Sequence, residues 1–384
     1  MAEKVLSVYS PDWDPYSGYG RMSLELVAHL DRLGVHANAM GTPATEILHE
    51  ELDEPWHTLL SRPVRTSFGG ILAGYPTLYE RFGSMAGMGT RVALTMFEST
   101  QLPDGWVEAL NACDMVIVPS ELNRDIFADN GVTVPIRVVP LGLSDTFHPE
   151  NHRGGSAVIP HAIKRKVKRG QLWFHRERFK PSRKDPFVFL AWGDRGESKG
   201  WKSAIFAFNK AFAGRNDVRL IIKARSYSIG YDVSRIDNVE ILQADLDEEQ
   251  MLDLYLRCDA MVFPSHGEGF GFPPREFAAT GGPVICTRWW ADDIEKWGYP
   301  VNYTMAPAWP GDEQREGLGM WAQPDIDHLA KQMTHQYQHD ARILRYMANR
   351  SAKHIRKMCN WERFAGGVWD AWQEACEGVK DASA

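Results

Sequence analysis

Ser265-His266-Gly267-Glu268-Gly269-Phe270-Gly271-Phe272-Pro273-Pro274-Arg275-Glu276 leaves the short apolar run Ala260 to Pro264 and leads into a helical pattern, Pro274 to Thr280. Glycines let backbone amides approach a ligand closely, and prolines suit the first positions of a helix. A strand–glycine loop–helix corner of this kind offers N–H groups and a positive dipole end to an anion. Glu268 falls in the loop and Glu276 in the first turns of the helix, so both can face one ligand. Two chemistries fit such a pair: acid and base of a hydrolase, or acceptors gripping sugar and ribose hydroxyls.

Outward from this corner the chain reads as two α/β units in tandem. Val5 to Tyr9, Arg91 to Met96, Met115 to Pro119 and Ile136 to Val139 are predicted strands. Helical patterns intervene at Arg21 to Leu33, Asp104 to Ala112 and Glu121 to Asp129, the first with Leu24, Val27, Ala28 and Leu30 on one face. The alternation restarts with strands Phe187 to Trp192, Val218 to Lys223, Ala260 to Pro264 and Pro283 to Cys286, and helices Lys202 to Phe212 and Glu248 to Arg257. Such alternation means βαβ units and parallel sheets. From Ile326 onward the pattern is helical. The expected divisions are a Rossmann-like unit over 1–150, a basic linker or insertion over 151–185, a second Rossmann-like unit over 186–360, and a C-terminal helix over 361–384 packing back on the first unit. Ligands of open parallel sheets sit beyond the carboxyl ends of the strands, which places the active site in a cleft between the two doubly wound units.

Composition narrows the class further. The 384 residues are 44% hydrophobic and 24% charged, an ordinary globular balance, with no apolar run long enough to span a bilayer. The first residues, MAEKVLSVYSPDWD, lack the pattern of a secretory signal. Five scattered cysteines without a C-x-x-C argue for a reducing cytoplasm over a disulfide or zinc scaffold. A net charge of −7 opposes a general nucleic-acid coat, while 14 tryptophans suit a sugar or base site.

The Glu268-x7-Glu276 spacing within EGFGFPPREFAATGGPVI closely resembles the signature of retaining GT-B glycosyltransferases of the family 4-like group. That resemblance implies two Rossmann-like domains facing across a cleft, with a nucleotide-diphosphate sugar held mostly by the second. Carried over residue by residue, it implies that Glu268 meets donor-sugar hydroxyls and Glu276 the ribose. The amides of Gly269, Phe270 and Gly271 then lie against the sugar and diphosphate, with His266 a further contact. Gly193-Asp194-Arg195-Gly196-Glu197-Ser198-Lys199-Gly200 is no Walker A loop. It resembles the family's diphosphate-holding pattern, with Arg195 and Lys199 neutralising charge on the leaving phosphate and Lys223 a weaker addition. Gly18, Tyr19 and Gly20 match the family's N-terminal glycine loop. Where family members often carry a histidine in the first unit, this chain reads Thr95-Met96-Phe97-Glu98-Ser99-Thr100, which makes Glu98 the candidate contact to donor sugar or acceptor. The implied reaction is retaining and needs no metal or other cofactor.

Asp12-Trp13-Asp14 spells the D-x-D metal motif of GT-A enzymes, but that fold has a single such domain, so an acceptor-side role suits Asp12 and Asp14 better. His335 and His339 share a helical face without an H-E-x-x-H, which fits packing over metal binding. For the acceptor, residues 161–184 carry ten Lys or Arg against one Glu. Lys164, Arg165, Lys166, Lys168, Arg169, Arg176 and Arg178 suit phosphates, and Trp173 or Phe174 suits stacking on an extruded base, so a modified base in DNA is one acceptor class. A glycan, lipid-linked or small-molecule acceptor is the alternative. A non-catalytic sugar- or nucleic-acid-binding protein is a third reading, disfavoured by the intact glutamates and Arg/Lys pair.

Overall fold

A computed structural model describes residues 4–41, 52–82, 89–148, 186–193, 198–225, 236–291, 293–312, 315, 317–338 and 341–382. The first unit runs β1 (Val5–Tyr9), α1 (Gly18–Arg32), β2 (His36–Met40), α2 (Trp56–Leu60), β3 (Gly69–Ala73), β4 (Thr90–Leu94), α3 (Trp106–Asn111), β5 (Met115–Val118), α4 (Glu121–Asp129) and β6 (Ile136–Val138). Its six strands are all parallel, in the order β2-β1-β3-β4-β5-β6. Both faces are covered, so central strands such as β5, MVIV, are buried at every position. Helix α1 begins three residues earlier than the periodicity indicates, because Ser17 caps it by accepting the Gly20 N–H (2.9 Å).

The second unit runs β7 (Phe187–Trp192), α5 (Trp201–Phe212), β8 (Val218–Ala224), β9 (Val239–Gln243), α6 (Glu248–Leu256), β10 (Ala260–Phe263), α7 (Phe272–Ala279), β11 (Val284–Thr287) and β12 (Tyr299–Val301). These strands form a second parallel sheet, β12-β11-β10-β7-β8-β9. A two-stranded antiparallel hairpin follows, β13 (Tyr303–Pro307) with β14 (Met320–Pro324), then helices α8 (Ile326–Gln338), α9 (Ala341–Met358) and α10 (Trp361–Ala382). Strands β2, β3, β9, β12 and the hairpin add to those legible in the sequence.

Helix α9 packs on α7 of the second unit, whereas α10 packs on α1 and β4 of the first. The chain crosses at Asn360, which bridges Leu143. Beside it a Cβ on Gly142 would lie 2.3 Å from the Trp361 ring, so only glycine lets the two segments meet. Arg356 Nη1 donates to the Phe147 carbonyl (2.8 Å) and fastens the same crossing. Among the described residues no helix is long and apolar enough to cross a membrane, and all five cysteines are free thiols.

Candidate active site

In each sheet two adjacent strands send their connections to opposite sides, which opens a crevice at their carboxyl ends. In the second sheet these are β7 and β10. The connection after β7 carries Lys199, and the one after β10 is the Ser265–Gly271 loop. Gly200 sits in the left-handed region (φ +66°), and a Cβ there would lie 1.9 Å from the Pro264 carbonyl oxygen. The two loops are thus pressed together at the backbone. Ser198 O accepts the His266 N–H (2.7 Å) from the other loop. In the first sheet β1 and β3 flank the crevice; their loops supply Asp12 to Ser17 and Tyr75, and the β4 loop supplies Met96 to Glu98.

Lys199 lies between the units. Its Nζ is 2.9 Å from both carboxylate oxygens of Glu268 and 3.3 Å from Glu98 Oε1. Burial alone would lower the Lys199 pKa; Glu268 first and Glu98 second overturn that, and the net shift is upward. The Glu268 carboxyl is pushed up chiefly by its own burial, pulled back by Lys199 and pushed up again by Glu98. Ser265 Oγ donates to Glu268 Oε1 (2.6 Å) and fixes its rotamer. A Cβ on Gly267 would lie 1.9 Å from the Glu98 carbonyl oxygen, and one on Gly269 would lie 2.3 Å from Met96. The glycines therefore serve close packing between the units. Among the described residues, none accepts the amide hydrogens of Gly269, Phe270 and Gly271.

Glu276 belongs to a separate network. Its Oε1 accepts from Arg21 Nη1 of α1 (2.7 Å) and its Oε2 from the Tyr255 hydroxyl (2.8 Å). Arg21 Nη2 also pairs with Glu248, whose other oxygen accepts from Ser144 Oγ (2.7 Å). Burial raises the Glu276 pKa, and Arg21 offsets part of that rise. Glu268 and Glu276 thus have different immediate partners, Lys199 and Arg21, an arrangement unlike a mutually coupled acid–base pair.

The remaining candidates divide. Asp12 Oδ1 accepts the Asp14 N–H (2.8 Å), its Oδ2 pairs with the Ser17 hydroxyl, and Asp14 Oδ1 accepts the Tyr16 N–H (2.9 Å). Both acids shape the loop before α1. Gly20 is forced by that loop, since a Cβ would lie 2.2 Å from the Asp14 carbonyl oxygen, whereas a Cβ on Gly18 meets nothing within 4 Å. Tyr19 is partly buried, its hydroxyl donating to the Met96 carbonyl (3.1 Å). Lys223 donates to the Ala244 carbonyl (2.8 Å) and lies over the Trp192 ring; burial pushes its pKa down to about 8. The His266 ring packs on Trp321 (centroids 4.6 Å). Arg195 and the basic residues Lys164, Arg165, Lys166, Lys168, Arg169, Arg176 and Arg178, with Trp173 and Phe174, lie outside the described residues.

Sequence reading missed an aromatic wall. Tyr75, about half exposed, packs edge-on to Tyr19 (5.1 Å) and near Trp106 (5.9 Å). Its phenol is pushed up by burial first and then by the Glu98 carboxylate, with Lys199, Arg315 and Asp12 also in electrostatic reach. From Trp106 the rings continue through Phe97 (5.0 Å) and Trp309 (5.9 Å) to Trp321 (5.1 Å). The hairpin carrying the last two is tied to the first unit: Ser99 Oγ donates to Leu318 O (2.6 Å) and Thr100 N–H to Met320 O (2.9 Å). The Trp abundance was the only signal of this wall, and it names no position.

Residues 174–289 match the family model "Glycosyl transferases group 1". The chain resembles in structure a sucrose-phosphate synthase from Thermosynechococcus elongatus, with TM-score 0.65 and 15% identity over 97% of this chain and 98% of that one. An alpha,alpha-trehalose-phosphate synthase (UDP-forming) from Burkholderia xenovorans, in complex with glucose-6-phosphate, gives TM-score 0.64 and 12% identity over 97% and 100%. A trehalose-6-phosphate protein from E. coli, bound with UDP-2-fluoro glucose, gives TM-score 0.65 and 12% identity over 96% and 99%. Among curated proteins no sequence matches. The expected architecture holds: the chain has the GT-B fold, two Rossmann-like parallel-sheet domains with a helical C-terminal tail.

Proposed function

We propose that this chain transfers a sugar from a nucleoside-diphosphate sugar to a hydroxyl acceptor with retention of anomeric configuration, without a metal. The observation that carries the reading is Lys199. One ammonium, drawn to a carboxylate of each unit, stands at the strand-end crevice beside the Gly269–Gly271 amides that no described residue uses. A diphosphate entering there competes with Glu268 and Glu98 for Lys199, and Glu268 then faces the sugar hydroxyls. As the anomeric carbon–phosphate oxygen bond breaks, the acceptor oxygen bonds to that carbon on the same face. Its proton passes to the departing phosphate oxygen. Lys199 offsets the charge growing on that phosphate; such preorganised groups contribute about 10²–10³-fold. The matched family segment spans both Lys199 and Glu268, and solved neighbours bound with UDP-2-fluoro glucose and glucose-6-phosphate support this donor and acceptor chemistry.

The acceptor enters past Tyr75, whose open face and neighbouring carboxylates suit a ring bearing hydroxyls. A second reading, a hydroxyl on a DNA base, rests on the basic and aromatic segment 161–184. Incubation with a panel of nucleoside-diphosphate sugars, with and without sugar phosphates or DNA, tests both. Nucleoside diphosphate release is expected. No release from any donor would reject the enzyme reading, and salt-sensitive DNA binding lost on deletion of 161–184 would favour the second acceptor.

A further inference from the structure

We infer that Arg275, buried behind the glycine loop, is a positioning residue for the donor's diphosphate; this rests on the nucleotide-sugar reading above. Arg275 stands in α7, yet its side chain turns back beneath the loop. Its Nη1 donates to the Phe270 carbonyl and lies 3.5 Å from the Gly271 carbonyl. The guanidinium carbon is 4.5 Å from the Phe270 ring centroid, 5.2 Å from Trp297 and 5.7 Å from Trp290. Two of these rings are themselves anchored. Trp290 Nε1 donates to the Ser265 carbonyl (3.2 Å) and Trp297 Nε1 to Asp293 Oδ1 (2.8 Å), while Asp293 Oδ2 pairs with His354 of α9 (3.0 Å).

Two consequences follow from elementary geometry and electrostatics. In a trans peptide the C=O and the next N–H point in opposite directions. Holding the carbonyls of Phe270 and Gly271 on Arg275 therefore turns the N–H groups of Gly271 and Phe272 away from it, toward the other side of the loop. Phe272 opens α7, so its N–H has no partner within the helix. Gly271 fits this placement, with φ +77° and a notional Cβ 2.9 Å from Trp290 and 3.3 Å from Arg275 Nη1. The second consequence is charge. A guanidinium cannot shed its proton, and aromatic faces lessen the cost of taking it out of water. It adds a fixed positive potential directly behind amides that await an anion, in a medium that screens weakly. Asp293 is an opposing charge in electrostatic reach.

The test uses the full chain, the variants Arg275→Met, Arg275→Lys and Asp293→Asn, and the probes UDP, GDP, ADP and inorganic pyrophosphate. Binding is followed by tryptophan fluorescence well below each variant's unfolding midpoint. Arg275→Met is expected to weaken the preferred nucleoside diphosphate and pyrophosphate by about tenfold, or about 1.4 kcal/mol. Arg275→Lys should recover part of that loss, and the donor KM should rise more than kcat falls. Asp293→Asn leaves the cage intact and removes the opposing charge, so diphosphate should bind about threefold tighter. Arg275→Met that folds and binds like the wild type overturns the inference while leaving the donor site standing. If Arg275→Met does not fold, unchanged or weaker binding by Asp293→Asn overturns it. A wild-type chain that binds none of the nucleoside diphosphates overturns the donor-site reading itself.

Discussion

Replacing Lys199 with methionine removes the charge at the centre of the cleft and keeps most of the side-chain volume. Glu268, itself buried, loses its ion-pair partner, and the Glu98 carboxylate remains close by. Removing one member of a buried pair costs about 3–5 kcal/mol. Part of that is relieved here, because burial and Glu98 already push the Glu268 pKa up, and losing Lys199 pushes it further in the same direction, which makes its protonation less costly. With about 2–4 °C of midpoint per kcal/mol for a domain of this size, a drop of roughly 5–10 °C is expected at pH 8. The sign with pH is fixed. A carboxyl whose folded pKa exceeds its unfolded value favours folding below the unfolded value, and that support is lost as pH rises through the folded value. The deficit of the variant should therefore shrink at pH 5. Adding Glu268→Gln neutralises the stranded carboxylate and should recover most of the midpoint, whereas nucleoside diphosphate release should remain about 10²–10³-fold below wild type. Scanning calorimetry and a coupled release assay read the two quantities separately. Turnover that returns together with stability in the double variant would refute the catalytic role of Lys199.

Other outcomes follow from the same geometry. Gly18→Ala should keep near-wild-type turnover, while Gly20→Ala and Gly267→Ala should lose most of it, since their Cβ atoms meet backbone oxygens at 2.2 and 1.9 Å; parallel turnover assays compare them. Tyr75→Ala should raise the acceptor KM about tenfold and leave acceptor-free donor hydrolysis unchanged, whereas Tyr75→Phe keeps the stacking face; steady-state kinetics at saturating donor separates them. Excess EDTA should leave turnover unchanged, as measured before and after dialysis.

The strands legible in the sequence lie mostly inside their sheets, with the half-buried edge strand Ile136–Val138 the exception. VLSVY, MVIV, AMVF and VICT are β-branched, apolar and central in their sheets. The missed ones carry other signals. His36–Met40, Val239–Gln243 and Tyr299–Val301 are edge strands whose mixed residues face partly into water. Gly69–Ala73 opens on two glycines that read as a turn; their reason is contact, because a Cβ would lie 2.0 Å from Thr90 O at Gly69 and 2.6 Å from Ser7 O at Gly70. For the site, the Glu268 loop and Lys199 stood out because glycines and charges cluster next to strands. Arg21, Tyr255 and Tyr75 did not, since each acts through a partner far away in the chain, as Arg21 does with Glu276. Arg275 did not because only the folded helix shows its side chain turning back on the Phe270 carbonyl. Glu98 was legible from its position in the loop that follows β4, which the fold turns toward Lys199.

The most direct measurement is a crystal structure of the chain soaked with UDP-2-fluoro glucose. The predicted result is a diphosphate against Lys199 and the amides of Gly269, Phe270 and Gly271, with the sugar ring on Glu268 and facing Tyr75. A compound bound elsewhere, with Lys199 still clasped by Glu268 and Glu98, would contradict the account.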